Sequence, residues 1–293
     1  LRSLLQALFY IPLVRKAVFG MQISPSDSMA RPLIGLQLVF YWLHMVTDPN
    51  CSSERKEALK QAGSQLKEIM QGCSGWDALK RFPGWEPVTQ SDLKLLIQVL
   101  LASIDEQLQG TANDGLMGRL CRGTKRAFVK CLDVNEESWE VEGFCNIELN
   151  VKESPEGTKD LMTAFRELTK PSVPIKYRTK KHGHQTAEAG VLFERLPPIL
   201  FIQLMRFEDN AAQEGEKIKD RCEFPEHINL DEFLETVGPT PADYTLHAML
   251  VHYDSKDQTS RSLYHGQHAA FIRPDPIKGE WYKFMDPLEE GRG

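Results

Sequence analysis

Several classes of protein are excluded by what this sequence lacks. The 293 residues carry a net charge of -6, so no basic excess points to a nucleic-acid partner. No apolar run approaches the roughly 20 residues of a membrane-spanning helix, and no membrane association is expected. The cysteines form no C-x-x-C pair, which argues against a zinc ribbon and against a secreted disulfide scaffold. The six cysteines are Cys51, Cys73, Cys121, Cys131, Cys145 and Cys222. We therefore expect an intracellular protein of the nucleus and/or cytoplasm that binds no metal or cofactor.

The first 120 residues are predicted to be helical. Leu4, Leu5, Leu8 and Phe9 have helical spacing, and Pro12 is expected to end that helix. Three further apolar faces follow along the chain. They belong to a helix that opens at Pro32, an amphipathic segment at Ser52–Met70, and a long apolar helix over Leu93–Leu108.

Strands are predicted from Leu120 onward. Alternating segments at Phe128–Leu132 and Phe144–Val151 flank an acidic stretch, Asp133–Glu142, that is expected to be a loop. The continuous apolar segment Ile199–Phe207 is typical of a buried central strand.

A basic stretch, Lys170–His184, is predicted to be a solvated loop. Its two histidines, His182 and His184, have no third metal ligand nearby in the sequence. We therefore predict no metal site there, and we expect Cys121, Cys131 and Cys145 to be small buried apolar residues.

A hairpin pattern occupies Tyr264–Pro287. His268 lies at the start of its first strand, Lys278-Gly279 forms the turn, and the second strand ends at Asp286. A histidine and an acid at neighbouring strand ends suit the base and the orienting group of a nucleophilic triad.

These residues resemble the ubiquitin-specific protease (USP) family. Its G-G-H-Y motif stands here as G-Q-H-A at 266–269, and its W-x-x-F-D-D as W-Y-K-F-M-D at 281–286. The segment at 196–207, L-P-P-I-L-F-I-Q-L-M-R-F, is similar to the family's L-P-P-x-L-x-x-x-L-x-R-F. Its residues most resemble those of the herpesvirus-associated branch of the family. The first residues resemble the helix that follows the catalytic cysteine.

The resemblance implies an α+β, papain-like USP fold with a helical thumb, an antiparallel β palm and β fingers. The thumb is expected over residues 1–120, with an insertion at about 50–75, and the palm and fingers over 121–293. The whole chain would then be a single USP-like domain of a longer protein.

The resemblance also assigns roles at the site. His268 takes the place of the triad base, Met285 that of the triad acid, and Asp286 is a candidate substitute for the orienting acid. The nucleophilic cysteine is absent from the chain, because the family's cysteine falls before Leu1 in this numbering. The departures from the family pattern near the site are Arg2, Gln267, Ala269 and Met285.

Ubiquitin is a candidate partner through positions where the family contacts it. These positions are Trp85, Asp92, Met205, Arg206, Phe207 and Gln267. Other interpretations remain open, because Asp92 also fits a helix capping box with Thr89, and Met205 and Phe207 also fit the core of a strand.

Three functions follow from these residues. The leading one is a catalytically inactive USP-like domain that serves as a protein–protein interaction scaffold for an unknown protein partner. The alternatives are an active thiol deubiquitinase with a cysteine upstream of Leu1, and a module that binds ubiquitin without cleaving it.

Overall fold

A computed structural model describes residues 2–21, 31–46, 52–71, 93–152, 159–171, 174–209, 215–254, 266–275 and 279–285. The chain divides into two compact units. One unit joins Leu1–Gly118 to His247–Gly293, and the other is Arg119–Leu246. Helices and strands are largely segregated along the sequence, as expected for an α+β protein.

The first unit contains most of the helices. They are α1 (Arg2–Phe9), α2 (Pro12–Gly20), α3 (Arg31–Val46), α4 (Ser53–Gln71), α5 (Leu93–Leu108) and α6 (Leu116–Cys121), the last of which runs into the second unit. The predicted apolar faces are confirmed: Leu36 and Phe40 of α3 and Leu101 and Ile104 of α5 are each at most 1% exposed. The predicted insertion forms α4, which packs on α3 and buries Ala62 and Leu66.

Pro12 was predicted to end the first helix, and in the structure it is the first residue of the next helix, α2. The first helix already ends at Phe9, and proline suits the first turn of the next helix since no N–H is needed there. A side chain of α3 caps the C-terminal end of α2. The side-chain amide of Gln37 donates hydrogen bonds to the carbonyls of Val18 at 2.7 Å and Met21 at 2.9 Å.

The second unit contains twelve strands and one helix among the described residues. They are β1 (Gly123–Cys131), β2 (Glu137–Phe144), β3 (Asn146–Asn150), β4 (Lys159–Asp160), α7 (Leu161–Thr169), β5 (Ile175–Thr179), β6 (Gly183–Arg195), β7 (Phe201–Met205), β8 (Phe207–Asp209), β9 (Gly215–Lys217), β10 (Cys222–Glu223), β11 (His227–Asn229) and β12 (Asp243–Thr245). A 3-10 turn covers Asp231–Phe233. The largest sheet has the order β2-β1-β6-β5.

Two predicted loops are wrong, because both contain strands. Most of the acidic stretch Asp133–Glu142 belongs to β2, whose residues are exposed up to Gly143. The stretch Lys170–His184 contains β5 and the start of β6, joined by a turn in which Gly183 has φ of 69°. Both β2 and β5 alternate apolar with polar residues over a few positions, such as Ile175 and Tyr177 with Lys176 and Arg178, but the high charge of these segments led to the prediction of loops.

The predicted central strand is also wrong in part. The segment divides into β7 and β8, and all five residues of β7 are half-buried. Within the described chain, β7 pairs only with β3, in parallel. β7 is apolar because its residues Ile202 and Leu204 pack against the core to which β3 contributes Ile147 and Leu149.

The core of the second unit forms where α7 packs on β3. The Phe165 ring stacks on Phe233 at 5.3 Å between centroids, and Leu149 and Leu230 are fully buried beside them. Nearby, the hydroxyl of Tyr244 donates a 2.7 Å hydrogen bond to a backbone carbonyl, and burial raises the pKa of this phenol to about 12. It therefore remains a hydrogen-bond donor at neutral pH.

The described cysteines, Cys121, Cys131, Cys145 and Cys222, are all buried and form no disulfide with one another, and the burial predicted for Cys121, Cys131 and Cys145 is confirmed. In the part of the chain that the structure describes, no group of three or more His, Cys, Asp or Glu side chains could hold a metal ion. No helix among those residues is long and apolar enough to cross a membrane.

Candidate active site

The candidate base lies in a three-stranded antiparallel sheet of the first unit. Its strands, in spatial order, are β13 (Ala248–Asp254), β14 (Gly266–Ile272) and β15 (Tyr282–Met285). His268 is the third residue of β14, so the strand begins two residues earlier than predicted. In the backbone register, His268 pairs with His252 of β13.

The helix α1 packs against this sheet. Ala7 of α1 meets Ala270 and Ile272 of β14 in a buried cluster, and the ring of Tyr10 lies 5.9 Å from that of Phe284. The resemblance places the catalytic cysteine immediately before α1. The structure therefore brings together the helix that would follow the nucleophile and the strand that carries the candidate base, which is the arrangement a thiol nucleophile requires.

The candidate acid position lies on the neighbouring strand. Met285, the last residue of β15, pairs with Ala269, which is fully buried, and Phe284 pairs with Ala270. Successive positions of a strand alternate between the two faces of a sheet. Position 285 therefore belongs to the alternate set of Ala269, and position 268 belongs to that of Ala270.

Two residues that the sequence did not mark, His247 and Arg273, lie at the opposite end of β14 from His268. The Nε2–H of His247 donates to the carbonyl of Ala7 at 3.2 Å. Burial lowers the pKa of His247 and the charge of Arg273 lowers it further, although hydrogen bonds to the Ala7 and Arg273 carbonyls oppose both effects. Arg273 is 4% exposed, and its guanidinium carbon lies 5.3 Å from the Trp281 ring centroid. No sequence pattern distinguishes a buried arginine after a strand from a solvated one.

Two of the residues predicted to contact ubiquitin, Arg206 and Met205, have described surroundings within the chain. Arg206 donates to the carbonyls of Ile218 at 3.4 Å and Asp220 at 2.8 Å, so it holds the chain that follows β9. Met205 ends β7 and is half-buried. This setting is compatible with the interpretation of Met205 as a packing residue.

The remaining predicted contacts are described less fully or not at all. Phe207 begins β8 and pairs in register with Lys217, and Gln267 pairs with Tyr253. Trp85, Asp92 and Asp286 lie outside the described residues, as does the capping box proposed for Thr89.

A comparison with protein families identifies the chain. The sequence model for "Ubiquitin carboxyl-terminal hydrolase" matches residues 1–288. The chain belongs to the ubiquitin carboxyl-terminal hydrolase family. Members similar to it include Ubiquitin carboxyl-terminal hydrolase 7 of Drosophila melanogaster, 32% identical over 292 residues, and Ubiquitin C-terminal hydrolase 12 of Arabidopsis thaliana, 33% identical over 297 residues. Each alignment covers 98% of this chain, which spans only 23% and 24% of the two relatives.

Solved structures of ubiquitin hydrolases share the fold. The SAGA DUB module of Ubp8, Sgf11, Sus1 and Sgf73 bound to monoubiquitin superimposes with a TM-score of 0.73 at 18% identity, covering 97% of this chain and 60% of that one. The same module bound to ubiquitin aldehyde gives a TM-score of 0.71 at 16% identity, covering 98% of this chain and 63% of that one. The predicted α+β USP fold is confirmed by this likeness.

Proposed function

We propose that this hydrolase-family domain is catalytically inactive and serves as a protein–protein interaction scaffold within a longer protein of the nucleus and/or cytoplasm. The observation that carries the proposal is Met285 at the acid position, in register with Ala269. A thioether is at best a weak hydrogen-bond acceptor and carries no charge. It cannot stabilise an imidazolium at His268 in the way a carboxylate does.

The substrate channel gives a second line of support. The family's tyrosine after the histidine is replaced by Ala269, which is fully buried in the sheet. A buried methyl group leaves no aromatic wall beside the tail of a bound ubiquitin. Gln267 adds bulk where the family has glycine, the residue that a narrow channel needs for close approach.

An active thiol deubiquitinase is the second candidate. The names of the similar proteins favour it, because each is called a ubiquitin hydrolase. This alternative requires a cysteine upstream of Leu1 and an orienting role for Asp286. If β15 continued regularly by one residue, position 286 would join the alternate set of Phe284, which is also that of position 268.

Hydrolysis of ubiquitin carrying a fluorogenic C-terminal amide by the full-length protein separates these candidates. The inactive domain gives no turnover above that of a His268→Ala variant. Turnover that disappears in His268→Ala establishes the active alternative and overturns the proposal.

A binding titration addresses the third candidate, a module that binds ubiquitin without cleaving it. Isotope-labelled ubiquitin is titrated with the protein to roughly millimolar concentration, where a complex worth about -4 kcal/mol is still visible. Saturable amide shifts at the ubiquitin tail without turnover establish that candidate. A flat titration leaves a scaffold for another partner, for which α4 offers an exposed charged surface at residues such as Glu57 and Lys60.

A further inference from the structure

An open sheet edge lies in the second unit. β2 is the first strand in the order β2-β1-β6-β5, and no described strand pairs with its other side. It pairs with β1 without a register shift from Phe144↔Gly123 to Glu137↔Lys130. An edge of this kind presents a row of unpaired backbone N–H and C=O groups over eight residues.

Of the features that normally protect an edge strand, β2 has only charged side chains, and all of them are glutamates. Proteins block such edges with lysine, proline, bulges or very short strands. β2 contains no lysine and no proline, its pairing with β1 has no bulge, and it is longer than a typical edge strand. Trp139 and Val141 are 58% and 46% exposed on it. The strand therefore retains both the backbone groups and the apolar surface that a further strand would need.

Trp139 is held in place although most of its surface is open. The guanidinium carbon of Arg126 lies 4.7 Å from its ring centroid. Arg126 is itself fixed by ion pairs to Glu194 at 2.9 Å and Glu235 at 2.7 Å. An ordered aromatic ring with an exposed surface is the kind of anchor that concentrates binding energy at protein interfaces.

The negative charge around β2 favours a positively charged partner. Residues 133–144 contain five carboxylates and no lysine or arginine, and β1 neutralises one of them through the 3.1 Å pair between Lys125 and Glu142. The five are Asp133, Glu136, Glu137, Glu140 and Glu142. Pairing of two β2 strands from two copies of the chain would bring glutamates together, which is destabilising. The edge therefore favours a basic strand.

Alternation along β2 defines the pattern of that strand. Glu137, Trp139 and Val141 belong to one alternate set, and Ser138, Glu140 and Glu142 belong to the other. We propose that β2 binds an extended basic segment of a partner protein by β-strand addition, with Lys or Arg alternating with apolar residues. The cations would face the glutamates, and the apolar residues would face Trp139 and Val141. This inference does not depend on whether the domain hydrolyses ubiquitin conjugates.

A peptide tests the proposal directly on the full-length protein. The probe is a fluorescein-labelled decapeptide of alternating lysine and valine, followed by fluorescence anisotropy. We expect saturable binding with a Kd on the order of 100 µM or tighter. One control peptide has the same residues in an order without alternation, and another alternates glutamate with valine. Both should bind at least ten-fold more weakly.

Charge reversal on the protein supplies the matched variants. Glu140→Lys with Glu142→Lys should weaken binding of the lysine–valine peptide at least ten-fold, because it removes the two carboxylates that would face the lysines. Glu54→Lys with Glu57→Lys, on the exposed face of α4, changes the net charge equally and should leave the affinity unchanged. Trp139→Ser should weaken binding without altering that charge.

Backbone hydrogen exchange distinguishes strand addition from general electrostatic attraction. The bound peptide should slow amide exchange in Glu137–Phe144. Absence of binding, equal binding of the non-alternating peptide, or binding without that protection overturns the proposal. Protection of β2 that increases with protein concentration and no peptide would assign the edge to a second copy of this chain, and would overturn it as well.

Discussion

Met285 pairs with Ala269 across β14 and β15, one position away from His268 in the backbone register. The resemblance in sequence motifs places the family's acid at position 285 and its tyrosine at position 269, so the two departures that it implies are direct neighbours in the sheet. One removes the orienting charge and the other removes an aromatic side chain. Both positions belong to the alternate set opposite that of position 268, so the inactivity that we propose rests on the loss of the family's acid at the strand end and not on a contact within the regular sheet.

Restoring the acid should restore some chemistry. Loss of the orienting acid costs a triad roughly 10⁴-fold in rate, so in a full-length protein with a cysteine upstream of Leu1, Met285→Asp should raise hydrolysis of a ubiquitin C-terminal amide by about 10²-fold or more above the His268→Ala background. Met285→Asn, which is isosteric but uncharged, should give no gain, and His268→Ala should abolish any gain that Met285→Asp produces.

The opposite pattern would assign the orienting role elsewhere. A fall in turnover on Asp286→Asn, with no gain on Met285→Asp, would contradict Met285 as the decisive substitution and make Asp286 the working orienter.

Gly190 should be intolerant of any side chain. A Cβ at this position would lie 2.6 Å from the Phe128 ring, which covers the glycine from the paired strand β1. Overpacking of this kind costs about 1–3 kcal/mol, so Gly190→Ala should lower the free energy of unfolding measured in urea by that amount.

Gly143 of the same sheet is the matched control. A Cβ there would meet only a backbone oxygen, at 4.0 Å. Gly143→Ala should change stability by less than about 0.5 kcal/mol. Equal effects of the two substitutions would mean that the Phe128 ring does not occupy the space above Gly190.

The sequence was sufficient to predict secondary structure and burial where the pattern that specifies them is local. The faces of α3 and α5 could be predicted because apolar residues recur with the helical period and all enter one core. It was insufficient for β2 and β5, because short alternating stretches within strongly charged, exposed segments resemble solvated loops. Ile199–Phe207 was predicted to be central because composition indicates burial but does not specify the number of pairing partners.

The candidate site shows the same limit more sharply. The motifs identified His268 and Met285, but the pairing of Met285 with Ala269 depends on strand register, which alternation alone does not specify. Arg273 and His247 carry no signal in the sequence, because their properties come from burial against α1 and Trp281.

Asp105 should stabilise α6 although it belongs to α5. Its two carboxylate oxygens accept hydrogen bonds from the backbone N–H groups of Met117 and Gly118, each at 2.8 Å. These N–H groups lie in the first turn of α6, where no helical carbonyl is available. Asp105→Ala should therefore cost about 1–2 kcal/mol in the free energy of unfolding. Glu106→Ala, next to it on α5, is the control and should have a smaller effect.

His247 should make stability depend on pH. Burial first, and the charge of Arg273 next, lower its pKa in the folded protein, so the unfolded chain takes up a proton at a higher pH than the folded one. The stabilisation is complete above the unfolded pKa of about 6.5 and is lost as the pH falls from there through the lowered folded pKa. Urea unfolding between pH 7.5 and 5.5 should show a steeper loss of stability for wild type than for His247→Gln, which retains a donor for the Ala7 carbonyl. Parallel curves, or a titration of His247 at its ordinary pKa by NMR, would show that the imidazole is solvated and that α1 does not cover this end of the sheet.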